Sequence, residues 1–251
     1  MLIDFNNVKP VRTATVMIGS TEFHDDTPAK RSHAAEPIKS LDDISTIQDY
    51  LINCKRYRDN LIFTMGINFG LRCGDLIHIK VGNIIDDTGH YKEEVVLQEE
   101  KTKKYRTVYL NDAVADAADL YFMHLGTVDL DDYLFRSESN RGKNTGKPIA
   151  VRSIEWMLKE VINKKLGIDL HASTHLLRKT FAYHVIMTAP DRDRALEFLM
   201  KILGHSSQAI TLRYAGITDD EIKDTYQNLN LGKGSSTAWI QSTGLFRKQT
   251  A

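Results

Sequence analysis

The sequence predicts a mainly α-helical fold that carries one small antiparallel β-sheet. Three observations give that class. Apolar residues recur at helical spacing along most of the chain after Ser40. One stretch, Glu94 to Leu110, is instead β-branched and alternating, as in two strands joined by a tight turn. A hydrophobic share of 42% and a charged share of 26%, with 15 Gly and 5 Pro in 251 residues, suit an ordinary globular core.

Residues 1–36 hold no sustained period and are punctuated by Pro10 and Pro28, which reads as an irregular arm. From Ser40, Leu41, Ile44, Ile47, Leu51 and Ile52 trace one helical face, with Ser40 or Asp42 placed to cap the first turn. Leu61, Ile62, Met65 and Phe69 continue in a second helix that Gly70 breaks, so Arg72 falls at a helix end or tight turn. A third short helix is expected through Leu76 to Lys80, ahead of the hairpin, whose turn lies near Lys101 to Lys104. Further helices are expected near 112–124, 151–166, 174–188, 192–203, 207–214 and 219–229. A Ser-, Asn-, Gly- and Lys-rich loop between Ser137 and Lys147 interrupts them. Gly167 is placed to stop the 151 helix, and Thr218-Asp219-Asp220-Glu221 has the capping-box pattern of the last one. Residues 230–251 form a tail whose apolar set, Trp239, Ile240, Leu245 and Phe246, is expected to dock on its own chain or on a neighbouring subunit.

The 33 basic and 33 acidic side chains balance, so a polyanion would have to be met by local clusters rather than by net charge. Lys55, Arg56 and Arg58 make one, Lys101, Lys103, Lys104 and Arg106 a second, and Arg141, Lys143, Lys147 and Arg152 a third. Asp112 to Asp132 holds six aspartates and no Lys or Arg, which suits a face turned away from a polyanion. Cys54 and Cys73 lack C-x-x-C spacing, so neither a disulfide framework nor a thiolate zinc site is supported, and a cytoplasmic setting is expected. No apolar run approaches the roughly 18 residues of a membrane span, so no membrane partner is expected.

Candidate chemistry begins at His175-Leu176-Leu177-Arg178, where an imidazole and a guanidinium three residues apart share a helix face and could hold a phosphate. Arginine offers a planar fork of permanent charge, and histidine a proton that exchanges near neutral pH. Leu203-Gly204-His205-Ser206-Ser207 follows an apolar helix, and Gly204 permits a sharp turn that presents His205. Nine residues later Tyr214 rides a short half-apolar helix with Ile210 and Leu212. His171, His184 and His124 read as structural or surface residues.

In this order the residues resemble the tyrosine recombinases, the phage-integrase family of site-specific recombinases, over about Pro37 to Leu229. Phe69-Gly70-Leu71-Arg72-Cys73-Gly74-Asp75-Leu76-Ile77 is similar to the family's first box. Lys101-Thr102 resembles its β-turn lysine, with Lys103 and Lys104 as neighbouring alternatives. His175 to Arg178 is similar to the second box, and Leu203 to Ser207 with Thr211-Leu212-Arg213-Tyr214 to the last. Tyr133-Leu134-Phe135 resembles a structural turn between hairpin and second box. His175 stands 30 positions before His205, and His205 nine before Tyr214, as the family pattern expects.

The resemblance implies a catalytic domain over 37–229 that cleaves and rejoins double-stranded DNA through a 3′-phosphotyrosyl intermediate. It makes Tyr214 the nucleophile, Arg72 and Arg178 the phosphate-binding arginines, and Lys101 the general acid. His175 would help deprotonate the phenol, His205 would hydrogen-bond the phosphate, and Asp75 would orient His175 or Arg72. It implies no cofactor and no metal, since the covalent intermediate conserves the bond energy, and self-association as a tetramer on DNA. The family's helical clamp domain finds too little room in residues 1–36, so an accessory DNA-binding protein or another subunit is expected to supply grip unless the recombinase is minimal. Two other readings stay open: a DNA-binding regulator that keeps the fold without strand exchange, and a histidine-dependent hydrolase.

Overall fold

A computed structural model of the chain describes residues 35–100, 103–137 and 146–217. Residues 1–34 of the arm expected over 1–36, Lys101, Arg141, Lys143, the 219–229 helix and the tail over 230–251 lie outside the described residues. Helix α1 spans Leu41–Asn53, α2 Tyr57–Phe69, α3 Cys73–Leu76 and α4 Val81–Ile84. Strands β1 (Glu94–Gln98) and β2 (Tyr105–Tyr109) follow, then α5 (Asp112–Leu125) and α6 (Val151–Leu158), which runs on as a π-helical segment, Lys159–Lys165. The last three are α7 (Thr174–Thr188), α8 (Arg192–Leu203) and α9 (Gln208–Ala215).

The caps explain most boundaries. Ser40 accepts the Asp43 N–H at 3.1 Å to start α1, as the sequence suggested. Asn111, Asp191 and Ser207 do the same for α5, α8 and α9. The short third helix departs from expectation. It closes at Leu76, and Ile79 and Lys80 pair instead with the segment around Tyr133, where the Leu134 N–H donates to the Ile79 carbonyl at 2.8 Å. Burying Ile79, Leu134 and Phe135 in that pairing outweighs the local helical spacing. Neither α4 nor the π-helical stretch was foreseen.

Helix α2 is the central element, buried over Asp59 to Gly66 and packed among α1, α5 and α7. At Gly66 a Cβ would stand 2.6 Å from Leu177 Cδ1, so the missing side chain lets α7 lie close. Leu176 and Leu177 of α7 belong to the large core cluster with α2. Ala182 and Ile186, further along α7, belong to a second cluster with Leu196, Leu199 and Leu203 of α8 and Ala215 of α9. Helix α7 therefore crosses the seam between two apolar clusters, and Arg178 sits at the crossing.

The hairpin is antiparallel, with Val95 opposite Val108 and Leu97 opposite Arg106. Val95, Leu97 and Val108 face inward, while Val96, Tyr105 and Tyr109 are exposed. Ala35 and Ile38 are buried ahead of α1. The Ile38 N–H donates to the Thr180 hydroxyl at 2.9 Å, and its carbonyl lies 2.9 Å from His184 Nε2. Pro37 packs on Gly216, at the end of α9, with Cδ 2.7 Å from where a Cβ there would stand. Among the described residues no helix is long and apolar enough to cross a membrane.

Candidate active site

Helix ends gather the cationic side chains. The last carbonyls of a helix lack intrahelical partners and carry partial negative charge. At the end of α2 the Phe69 carbonyl accepts from Arg106 Nη2 at 3.0 Å, and the Gly70 carbonyl from Arg178 Nη1 at 2.7 Å. At the end of α8 the Leu203 carbonyl accepts from Arg178 Nη2 at 3.1 Å. These bonds let Arg178 sit buried, 4% exposed, across the seam.

Gly70 caps α2 with φ +55°, and the Phe181 ring fills the space a Cβ would need. The chain leaves that turn with Arg72 extended as the N-cap of α3, its side chain about a third exposed at 36%. Arg72 Nη1 lies 3.4 Å from Glu99 Oε2 and 3.8 Å from Asp75 Oδ2. Asp75 is buried, and its Oδ1 accepts the Glu100 N–H at 2.8 Å, tying box one to the hairpin turn. Glu99 Oε1 also stands 3.8 Å from Arg106 Nη1.

Tyr214 enters from α9, half-buried, with its hydroxyl 3.5 Å from His175 Nδ1. Its ring meets the His205 ring edge-on at 5.1 Å, and Lys179 Nζ lies 5.4 Å from its centroid. Gly204, at φ +71°, ends α8 and swings His205 into the loop. His205 Nδ1 is 3.1 Å from Thr211 Oγ1, whose hydroxyl donates to the Ser207 carbonyl. That commitment makes Thr211 the acceptor and leaves His205 Nε2 as the nitrogen without this tie.

Burial pushes the Tyr214 phenol up, while the Arg178 guanidinium, and more weakly that of Arg72, pulls it back. His175 is held below the ordinary histidine range by burial, then by Lys179, Arg178 and Arg72. His205 is lowered by burial and the same two arginines. Arg106 is lowered to about 10 by burial, then by Arg178. Burial pushes the Cys73 thiol up to about 12, so the sulfur beside Arg72 is no thiolate nucleophile.

The phage integrase family model matches residues 39–221, most of the chain. The chain belongs to the phage integrase family. It is thereby a site-specific recombinase of the tyrosine type. It is 33% identical to the probable integrase/recombinase YoeC of Bacillus subtilis (strain 168) over 197 residues, covering 78% of this chain and 97% of that protein. It is 27% identical to the tyrosine recombinase XerC of Staphylococcus epidermidis over 179 residues, 70% of this chain but 55% of XerC. The crystal structure of XerA recombinase shares the fold with a TM-score of 0.58 at 24% identity, covering 80% of this chain and 68% of XerA.

In this integrase-family chain the fold brings Arg72, His175, Arg178, His205 and Tyr214 into one cluster from α3, α7, the α8–α9 loop and α9. Asp75 is placed beside Arg72 rather than as a partner of His175. Lys101 lies outside the described residues, and its predecessors Glu99 and Glu100 are held against Arg72 and Asp75. Sequence reasoning missed Glu99 and Lys179 and placed Arg106 in a basic cluster with no part in the site. Strand alternation held the missing signal: Val95, Leu97 and Glu99 share one face of the hairpin with Arg106 and Val108. The first basic cluster is partly neutralised, since Arg56 pairs with Asp59 and Glu160, and Arg58 with Asp59.

Proposed function

We propose that Tyr214 attacks a phosphodiester of double-stranded DNA, held by Arg72 and Arg178, and so cleaves and rejoins specific sites. The Tyr214 oxygen bonds to phosphorus, the bond from phosphorus to the 5′-oxygen breaks, and a 3′-phosphotyrosyl link and a 5′-hydroxyl result. The phenol proton passes toward His175, and Lys101 is the group assigned to protonate the leaving 5′-oxygen. Reversal with a 5′-hydroxyl from another strand joins the new partners. The observation that carries this reading is the Tyr214 hydroxyl lying 3.5 Å from His175 in the electrostatic reach of Arg178 and Arg72.

A phosphodiester already carries charge, and attack increases it on the non-bridging oxygens. Guanidiniums fixed in a half-buried pocket stabilise that charge without reorganising. Arg72 is the more open of the two and contributes unspent N–H donors, whereas Arg178 contributes its field from a fixed place. His205 donates to the same oxygens through Nε2 once the phosphate anion has drawn a proton onto the ring, and Asp75 orients Arg72. Assembly as a tetramer on two duplexes, and an accessory DNA-binding protein to strengthen the grip, complete the proposal.

A nicked suicide duplex tests it. Tyr214→Phe removes only the hydroxyl, so a denaturation-resistant protein–DNA adduct formed by the unaltered chain disappears while the fold and non-covalent binding persist. An adduct that survives the substitution overturns Tyr214 as nucleophile.

A further inference from the structure

Resting on the reading that Arg72 holds a non-bridging phosphate oxygen, we propose that Glu99 is a positioning residue. It steers the Arg72 guanidinium from the hairpin and is itself held from behind by Arg106.

The two Glu99 oxygens divide between two arginines, Oε2 at 3.4 Å from Arg72 and Oε1 at 3.8 Å from Arg106. Arg106 is a firm base for this bridge. Its side chain is 12% exposed and its other amino group is bonded to the Phe69 carbonyl at 3.0 Å. One residue further, the Glu100 N–H is bonded to Asp75. The hairpin is therefore fastened to the Phe69–Asp75 segment from both strands, and on the hairpin side Glu99 presents the carboxylate that faces Arg72.

The distances separate steering from saturation. Arg72 Nη1 and Arg106 Nη1 are buried and have no hydrogen-bond partner, and the same holds for Asp75 Oδ2. Each pair attracts at these separations, but the donors keep their hydrogen bonds unspent. A phosphate-binding guanidinium needs that combination: a fixed direction and vacant donors. A guanidinium has five N–H groups, so one edge can follow Glu99 while another takes the phosphate.

Charge balance points the same way. Arg106 is lowered by burial, then by Arg178 and Arg72, and Arg178 by burial and by Arg72, so the three guanidiniums stand within electrostatic reach of one another. Glu99 and Asp75 offset two of the three charges. Without Glu99, Arg72 would be repelled outward by the two buried arginines.

The test uses the full chain and a pool of nicked duplexes of randomised sequence, from which the unaltered protein captures its covalent partner. Single-turnover adduct formation on that duplex is compared with Glu99→Gln, which keeps the shape and removes the charge. The expected loss is about 10²-fold, the scale for displacing a catalytic group by about 1 Å. The dissociation constant measured in the Tyr214→Phe background stays unchanged. On the same duplex with a methyl group replacing one non-bridging oxygen at the scissile phosphate, there is less charge for Arg72 to offset, and the penalty of Glu99→Gln disappears. If Glu99→Gln melts below the assay temperature, Glu99→Asp, which withdraws the charge by one methylene, reads the same contrast between the two substrates.

An unchanged rate in Glu99→Gln overturns the inference, as does an equal loss on both substrates, which is what a purely structural role produces. Absence of any adduct from the unaltered chain overturns the assignment of Arg72 and this inference together. An adduct from the unaltered chain with an equal rate in the variant overturns the inference alone.

Discussion

Arg178 and Arg72 should part company when stability and activity are measured together. Arg178→Ala removes two charge-assisted bonds and leaves the Gly70 and Leu203 carbonyls without their donor. Each unsatisfied buried acceptor costs about 1–3 kcal/mol, so the variant loses about 2–6 kcal/mol. That is a large part of the roughly 5–15 kcal/mol that holds a typical domain together. At about 2–4 °C per kcal/mol for a chain of this size, the melting temperature falls by at least about 4 °C and by as much as about 24 °C. Arg72→Ala breaks only ion pairs of 3.4 and 3.8 Å on a side chain that is 36% exposed. Such pairs contribute at most about 1 kcal/mol, so melting moves by a few degrees at most. Both variants lose adduct formation, each by roughly 10²- to 10³-fold. Thermal denaturation followed by circular dichroism, alongside suicide-duplex trapping, reads both quantities. Equal melting temperatures in the two variants would refute the argument, because the seam would then not depend on Arg178.

Two further outcomes follow from the same structure. His175 and His205 both have folded values below the ordinary histidine value, so the unfolded chain binds more protons around and below pH 6.5. Stability contributed by these groups is complete above that region and declines as pH falls through it. Adduct formation, which uses neutral His175, falls over the same acid range, and melting curves with single-turnover rates between pH 5 and 8 check both. Gly70 and Gly204 each have positive φ, which costs a substituted alanine about 1–2 kcal/mol. Only Gly70 has Phe181 against it, while a Cβ on Gly204 meets nothing within 4 Å. Urea denaturation should therefore find Gly70→Ala the less stable of the two, and the reverse order would mean that Phe181 yields.

Much of the fold was readable because long helices carry their own period. The helices over 174–188 and 192–203 match the spacing of their apolar residues, and the hairpin follows the β-branched run. The candidate residues Arg72, His175, Arg178, His205 and Tyr214 stood out for another reason, the resemblance of their short boxes and spacings to those of the family, and the fold gathers them into one cluster. What local signals could not carry was the long-range pairing. Ile79 met Leu134 across a gap in sequence that no period spans. Arg106 looked like one more solvated charge beside Lys103 and Lys104, although its place in β2 puts it on the inward side with Val108. Glu99 acquires meaning only when β1 lies beside the Phe69–Asp75 turn.

The seating of Pro37 on Gly216 joins residues from opposite ends of the described body. Closing so long a loop is entropically expensive, and contacts of that kind accumulate late as a chain organises. The helix that bears the phenol should thus be sealed among the last events of folding. Helical signal should return in refolding before the ability to trap DNA does, because a half-collapsed chain holds Tyr214 apart from its proposed partners.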